Sequence, residues 1–352
     1  MNSVLVVVTR QIGDVLLTTP LVRRARALWP GAAIDVLGFA GTLGMLAGNP
    51  DIRECIEIPA RPGWQGVRRL VRRLWRQYDL ALVADAGDRA HLIGFVAARE
   101  RSGLLPAHGG SNWWKRALLR HPVSCAGDLG GEHVVAEKLR LLAPWGAPGA
   151  PAEVVPPAGV ALPHALQRRL EPGYVVVHAP SMWPYKQWPL AHFRALVASL
   201  ADAGRQVVLT GGGSEADRAA VASLQGAAPG HLVVDAGVLG FGQLAALLQD
   251  AALYIGPDTS VSHLAAACDV PVLAIFGPTN PQRWAPWPAA GARFERRALS
   301  QTIGNVTVLQ SALPCVPCGR AGCDDHRQSR SDCLQDISPE RVAAMARDLL
   351  NP

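Results

Sequence analysis

The sequence predicts an α/β protein of two doubly wound domains, and three observations carry that prediction. Short apolar runs alternate with helical patterns from the first residues onward, the rhythm breaks once in a proline-rich stretch near the middle, and it then restarts. Alternation of this kind is the mark of βαβ units and a parallel sheet. The length agrees, because 352 residues, 49% of them hydrophobic, exceed what one core ordinarily serves and suffice for two.

In the first domain, residues 4–8 read as a strand, residues 15–28 as one helix, and residues 34–37 and 80–84 as further strands. Between residues 143 and 173 the pattern dissolves into Pro, Ala and Gly, with Pro144, Pro148, Pro151, Pro156, Pro157 and Pro163, which reads as a linker. The rhythm then resumes with strands at 174–177, 206–209, 253–255 and 272–276, separated by helices after Pro189, after Ser214 and up to Cys268. The expected boundaries are 1–160 for the first domain, 161–337 for the second with a Cys-rich segment at 315–333, and 338–352 for a C-terminal helix. The halves share architecture but no sequence period, so no repeat is read.

The net charge of +6 is unevenly placed. Residues 1–150 hold 19 Lys and Arg against 12 Asp and Glu, leaving 15 against 16 in the remainder, so all of the excess lies in the first half. Its densest part, Arg68, Arg69, Arg72, Arg73 and Arg76, alternates with Leu70, Val71, Leu74 and Trp75 at helical spacing, giving an apolar side and a cationic one. Such a face suits peripheral contact with anionic lipid head groups or an acidic glycolipid. It equally suits a solvated arginine-rich helix. No recognition motif accompanies the charge, so nucleic acid is not expected as a partner. The longest apolar runs fall far short of the roughly 20 residues of a spanning helix. The N-terminus opens into an apolar strand without the flank and cleavage site of a secretory signal. A cytoplasmic protein is expected, touching at most the cytoplasmic face of the inner membrane.

In doubly wound sheets ligands sit beyond the carboxyl ends of strands, where turns and helix N-termini leave backbone N–H groups free. Three such turns stand out. Arg10-Gln11-Ile12-Gly13-Asp14 follows the first strand; Gly13 suits a tight turn and is expected among the donor-binding residues, and Asp14 is either an N-cap or a general base for an attacking hydroxyl. Gly256-Pro257-Asp258-Thr259-Ser260-Val261-Ser262-His263 opens a helix whose start would attract a diphosphate, with His263 one turn inside, either packed or bonded to a ligand. The third turn contains Ser181 and Lys186-Gln187-Trp188-Pro189. The chain has only three lysines, Lys115, Lys138 and Lys186, against 31 arginines, so a lysine beside an anion pocket is informative; its compact charge suits a leaving phosphate. Gly211-Gly212-Gly213-Ser214-Glu215 ends another strand and would let a nucleotide approach closely, although it is neither a dinucleotide fingerprint nor a Walker loop.

Taken in order, the Gly13-Asp14 turn, Lys186-Gln187-Trp188-Pro189, Asp258-Thr259-Ser260 with Ser262-His263, and Phe276-Gly277-Pro278-Thr279 resemble glycosyltransferase family 9, the lipopolysaccharide heptosyltransferases. The resemblance is strongest over the first 30 residues and from 174 to 281, and only architectural from about 61 to 173. It implies a GT-B fold of two Rossmann-like domains facing each other across a cleft, an ADP-heptose donor, a lipid-linked lipopolysaccharide inner-core acceptor, and inversion at the anomeric carbon. By the same resemblance Asp14 matches the family's base and Lys186 its phosphate-binding lysine. Asp258, Thr259 and His263 match its donor-binding segment, Ser181 a phosphate contact, and Glu215 an acidic donor contact after the glycine turn.

No Asp-X-Asp triplet occurs, so the metal-held sugar-nucleotide site of the other large transferase architecture is missing; no cofactor is expected for the chemistry, and leaving-group charge falls to Lys186 and backbone amides. Four of the seven cysteines, Cys315, Cys318, Cys323 and Cys333, lie within 19 residues. In a cytosolic chain such clustering points to metal or reactive thiols rather than disulfides, so a structural zinc or iron stands beside the alternative of free packed cysteines, with His326 as a substitute ligand. The reading is an inverting heptosyltransferase. Against it stand a GT-B transferase or epimerase using another sugar nucleotide, and a non-catalytic metal-bearing module that holds an anionic partner.

Overall fold

The computed structural model describes residues 1–107, 112–146, 152–288, 291 and 293–351; Pro148 and Pro151 of the linker reading lie outside the described residues. By its contacts the chain separates into two units, Met1–Ala158 and Gly159–Pro352.

In the first unit, Val4, Val6 and Val8 pack into one apolar cluster and Leu5 and Val7 into another, all wholly buried. A strand apolar on both sides belongs at the centre of a sheet covered on both faces. Strand β1 (Ser3–Val8) indeed lies inside a six-stranded parallel sheet with β2 (Ala33–Phe39), β3 (Glu54–Ile58), β4 (Tyr78–Val83), β5 (Ala98–Pro106) and β6 (His121–Cys125), in the order β3-β2-β1-β4-β5-β6. The strand order reverses between β1 and β4. That reversal is the topological switch point, where ligands of open α/β sheets bind.

The second unit repeats the plan. Its strands β7 (Val175–His178), β8 (Val207–Gly211), β9 (Leu232–Ala236), β10 (Leu253–Pro257), β11 (Val272–Phe276), β12 (Ser300–Ile303) and β13 (Val306–Gln310) form one sheet in the order β12-β13-β11-β10-β7-β8-β9. All neighbours run parallel except β12 on β13. Here the switch point lies between β7 and β10. The last helix, Pro339–Leu350, presses Val342, Ala343 and Ala346 into the same core as Trp188, Phe193 and Leu196. Among the described residues no helix is long and apolar enough to cross a membrane.

Two local expectations need correction. The single helix expected over 15–28 is two, Ile12–Leu16 and Thr19–Leu28. Pro20 has no N–H to give the Leu16 carbonyl, which accepts Thr19 Oγ1 at 2.8 Å instead, and the helix restarts around the proline. Arg76 does not join the basic face. The helix there is Trp64–Leu74, and Arg76 follows it at φ 52°, its guanidinium bonded to the Ala98 carbonyl and stacked between Trp75 and Phe95.

Candidate active site

At the switch point of the first sheet, Asp85 follows β4 and reaches across to the end of β1, where its Oδ2 accepts the Thr9 N–H at 2.6 Å and the Thr9 hydroxyl at 3.0 Å. The turn that carries Asp14 is thereby anchored at its start. Asp14 is not the N-cap of helix Ile12–Leu16, since Gln11 holds that position; it sits in the first turn, with 13% of its side chain exposed and Arg10 Nε 3.7 Å from its Oδ2. The capping alternative is therefore not its role. Gly13 is helical and does not take the left-handed conformation of a turn glycine.

The second unit gathers the remaining candidates at the carboxyl ends of β7, β8 and β10. Lys186 closes a short 3-10 turn, Pro184–Lys186, and its Nζ lies 2.6 Å from Asp258 Oδ2 across the switch point. The residues after Lys186 explain why the loop holds still. Gln187 Nε2 donates to Ala179 O at 2.7 Å and to Trp188 O at 2.9 Å, tying both ends of the loop together. Trp188 is wholly buried, stacks edge-on against Phe193 with ring centres 4.7 Å apart, and donates Nε1–H to Ile337 O at 3.0 Å. Truncating such an anchor to Ala costs about 3–5 kcal/mol. Pro189 then caps the helix Leu190–Asp202.

Beyond β10, Thr259 is the N-cap of helix Ser260–Ala267 in extended backbone and makes no side-chain capping bond. The amides of that first turn, which includes Ser260, therefore lack the usual side-chain acceptor at the positive end of the helix dipole. Asp258 and His263 are buried beside it, and Ser262 Oγ donates to Pro257 O at 2.5 Å. Ser181 Oγ bonds Trp183 O at 3.3 Å within the lysine loop. After β8, a Cβ at Gly212 would come within 2.2 Å of Asp217 Oδ2, the mobile end of a side chain, so the glycine leaves this strand end open without being sterically required. Glu215 begins the exposed helix Glu215–Ala222, capped by Ser214, which accepts from Asp217 N at 3.0 Å. His178, at the end of β7, has its pKa pushed down to about 4 by burial and bonds Thr210 Oγ1 through Nδ1 at 3.1 Å, so its ring is neutral at pH 7.

The four clustered cysteines share one lobe. Burial, and after it the neighbouring Cys318, Cys315 and Cys323, push the Cys333 thiol up to about 12. The thiols nevertheless do not compose a ligand set: among the described residues no three His, Cys, Asp or Glu side chains are placed to hold a metal ion, and His326 adds nothing to such a set. Cys315 and Cys323 are exposed while Cys333 is buried. The lobe also braces the lysine loop. Ser331 Oγ donates to Tyr185 O at 2.6 Å, and the Arg327 guanidinium lies 4.7 Å from the centre of the Trp183 ring.

Sequence reasoning passed over Asp85 and Lys138. Lys138 is buried, and its Nζ donates to Asp14 O at 2.7 Å and Thr18 Oγ1 at 2.8 Å. The rarity of lysine that singles out Lys186 points to Lys138 as well, and to Lys115, whose Nζ is 2.7 Å from Asp88 Oδ1 and 2.8 Å from Ala86 O.

Comparison with known proteins bears on the family and the fold. Residues 67–301 match the model of glycosyltransferase family 9 (heptosyltransferase). Lipopolysaccharide heptosyltransferase 3 of Escherichia coli is 31% identical over 291 residues, covering 78% of this chain and 83% of that protein. The structure of E. coli heptosyltransferase WaaC with ADP-2-deoxy-2-fluoro heptose superposes with a TM-score of 0.71 at 19% identity, covering 98% of this chain and 99% of that one. The dodecameric iron-containing heptosyltransferase TibC of enterotoxigenic E. coli, in complex with ADP-D-beta-D-heptose, gives 0.59 at 16% identity, covering 99% and 76%. The fold is accordingly of the GT-B type, and the chain is a glycosyltransferase that belongs to family 9, the heptosyltransferases.

Proposed function

We propose that the protein transfers a heptose from ADP-heptose to a hydroxyl of the lipopolysaccharide inner core, with inversion at the anomeric carbon. The observation that carries this reading is the Lys186–Asp258 pair at the switch point of the second sheet, beside the uncapped start of helix Ser260–Ala267. A lysine and a ring of backbone amides at one strand end suit a diphosphate, and family membership supplies the sugar. In a single displacement Asp14 takes the proton of the acceptor hydroxyl as its oxygen attacks the anomeric carbon; the bond to ADP breaks, and the diphosphate leaves with its growing negative charge met by Lys186 and the amides after Thr259. Ser181, Gly212, Glu215, Ser260 and His263 complete the proposed donor contacts. No cofactor enters the chemistry.

Incubation with ADP-heptose and a heptose-deficient core lipid, read by mass spectrometry of the lipid and by ADP release, tests the proposal. Turnover only with another sugar nucleotide, or epimerised donor without transfer, would favour the runner-up. The acceptor's lipid anchor places the work at the cytoplasmic face of the inner membrane, where the helix Trp64–Leu74, with exposed Trp64 and Arg68, Arg69 and Arg72, would meet anionic head groups. Co-sedimentation with phosphatidylglycerol vesicles that persists in an R68E/R69E/R72E variant would remove that contact from the proposal. A structural iron or zinc in the cysteine lobe, supported by the likeness to TibC, requires the four thiols to draw together, and no chemical step passes through it.

A further inference from the structure

The Asp14 carbonyl stands at the break between helices Ile12–Leu16 and Thr19–Leu28. In an unbroken helix it would accept the Thr18 amide. That amide turns instead to Val15 O at 3.0 Å, and the Asp14 carbonyl accepts Thr18 Oγ1 at 2.7 Å and Lys138 Nζ at 2.7 Å. Lys138 Nζ donates to Thr18 Oγ1 as well, at 2.8 Å, which closes a triangle of bonds around the break. The ammonium comes from helix Val134–Leu139, far along the chain, and its residue is 2% exposed.

A buried ammonium is an expensive way to stabilise a kink. Desolvating it costs several kcal/mol, and a methionine of similar length would fill the space without that cost. Burial pulls the Lys138 pKa down to about 8; the Asp14 and Asp85 carboxylates oppose the shift, while Arg10 adds to it and Glu137 opposes it more weakly. Those are the charged groups that face it. Asp85 fixes the entry of the Asp14 turn at Thr9, and Lys138 fixes its exit at Asp14 and Thr18, so the first helical turn is clamped at both ends.

We propose that Lys138 is a positioning residue: it locks the break after the first helical turn and so holds the Asp14 carboxylate in the orientation from which it takes the acceptor's proton. The inference rests on Asp14 being the base. A double-mutant cycle with Asp14→Asn and Lys138→Met tests it, using ADP-heptose and the core lipid, with ADP affinity and thermal unfolding measured alongside. Lys138→Met is expected to lower kcat roughly 10- to 100-fold, the scale of a misplaced catalytic group, while donor KM and ADP affinity stay near wild type. In the Asp14→Asn background the same change is expected to cost nothing further, because a residue that acts through Asp14 has nothing left to position. Lys138→Gln, which keeps a donor towards the Asp14 carbonyl, should recover part of the rate, and it carries the same cycle if the methionine variant does not fold. Equal losses in both backgrounds would reduce Lys138 to a structural residue and overturn the inference. So would an unimpaired Lys138→Met beside an inactive Asp14→Asn, which leaves the base reading standing; an active Asp14→Asn would instead bring down that reading.

Discussion

Lys186 and Asp258 enter the second sheet's switch point from opposite sides, one after β7 and the other after β10, and close a 2.6 Å ion pair there. The pair is partly shielded, with 24% of the lysine and 7% of the aspartate side chain exposed. An arriving diphosphate would compete with Asp258 for the ammonium. Lys186→Ala should weaken ADP binding modestly and transfer much more, because phosphate charge grows as the bond breaks. Isothermal titration and steady-state kinetics separate the two. Equal losses in ADP affinity and kcat/KM would make Lys186 a plain binding residue.

Asp14→Asn keeps the shape of the side chain and the first helical turn but cannot accept a proton. Its kcat should fall by about 10² or more, the contribution of a general base, with ADP affinity and unfolding temperature retained. Turnover near the wild-type rate would exclude the role.

The buried ammonium makes stability depend on pH in a defined direction. Burial lowers the Lys138 pKa from 10.5 to about 8, so below pH 8 both folded and unfolded chains carry the proton and the desolvation cost is fully felt. Between about 8 and 10.5 the folded chain sheds the proton first while the unfolded chain retains it, so stability rises with pH. Relative to Lys138→Met, the wild type should gain on the order of 3 kcal/mol across that window. Urea unfolding of both proteins at pH 7.5 and pH 10 would show it, at roughly those two ends of the window; an unchanged difference between the two proteins would contradict the buried-ammonium account.

Protein purified without chelator should carry about one iron or zinc per chain if the cysteine lobe closes on an ion. Removing the ion should loosen the brace that Ser331 and Arg327 give the loop of Trp183 and Tyr185. Elemental analysis with thiol titration decides the matter. Four freely titrating thiols and no metal would leave the lobe to ordinary packing.

The strands that the sequence betrayed are those buried on both faces, such as β1 and β11, where apolar residues run without interruption. The ones it hid carry polar groups that only the fold explains. β5 includes Arg99, Glu100 and Arg101, and Arg101 is accommodated because its guanidinium bonds the Ala98 and Leu118 carbonyls. β3 lies at an edge and buries only Ile56 and Ile58. Among the candidate site residues of the two units, Asp14 in the first and Lys186 and Asp258 in the second were legible because they follow recognisable strands within short motifs. Asp85 and Lys138 were not, since neither belongs to a motif and each matters through a partner more than 70 residues away in sequence.

The scarcity of lysine also gives the folded protein an unusual chemical profile. Lys115 is held by Asp88 and Ala86, Lys138 by Asp14 and Thr18, and Lys186 by Asp258, so none of the chain's three ε-amines stands out in solvent. Amine-directed reagents should therefore find little beyond the N-terminus on the native enzyme, and a lysine-specific protease should leave it whole. Denaturation would expose all three together. Acylation of ε-amines thus becomes a direct gauge of unfolding, read at three positions spread over both halves of the chain.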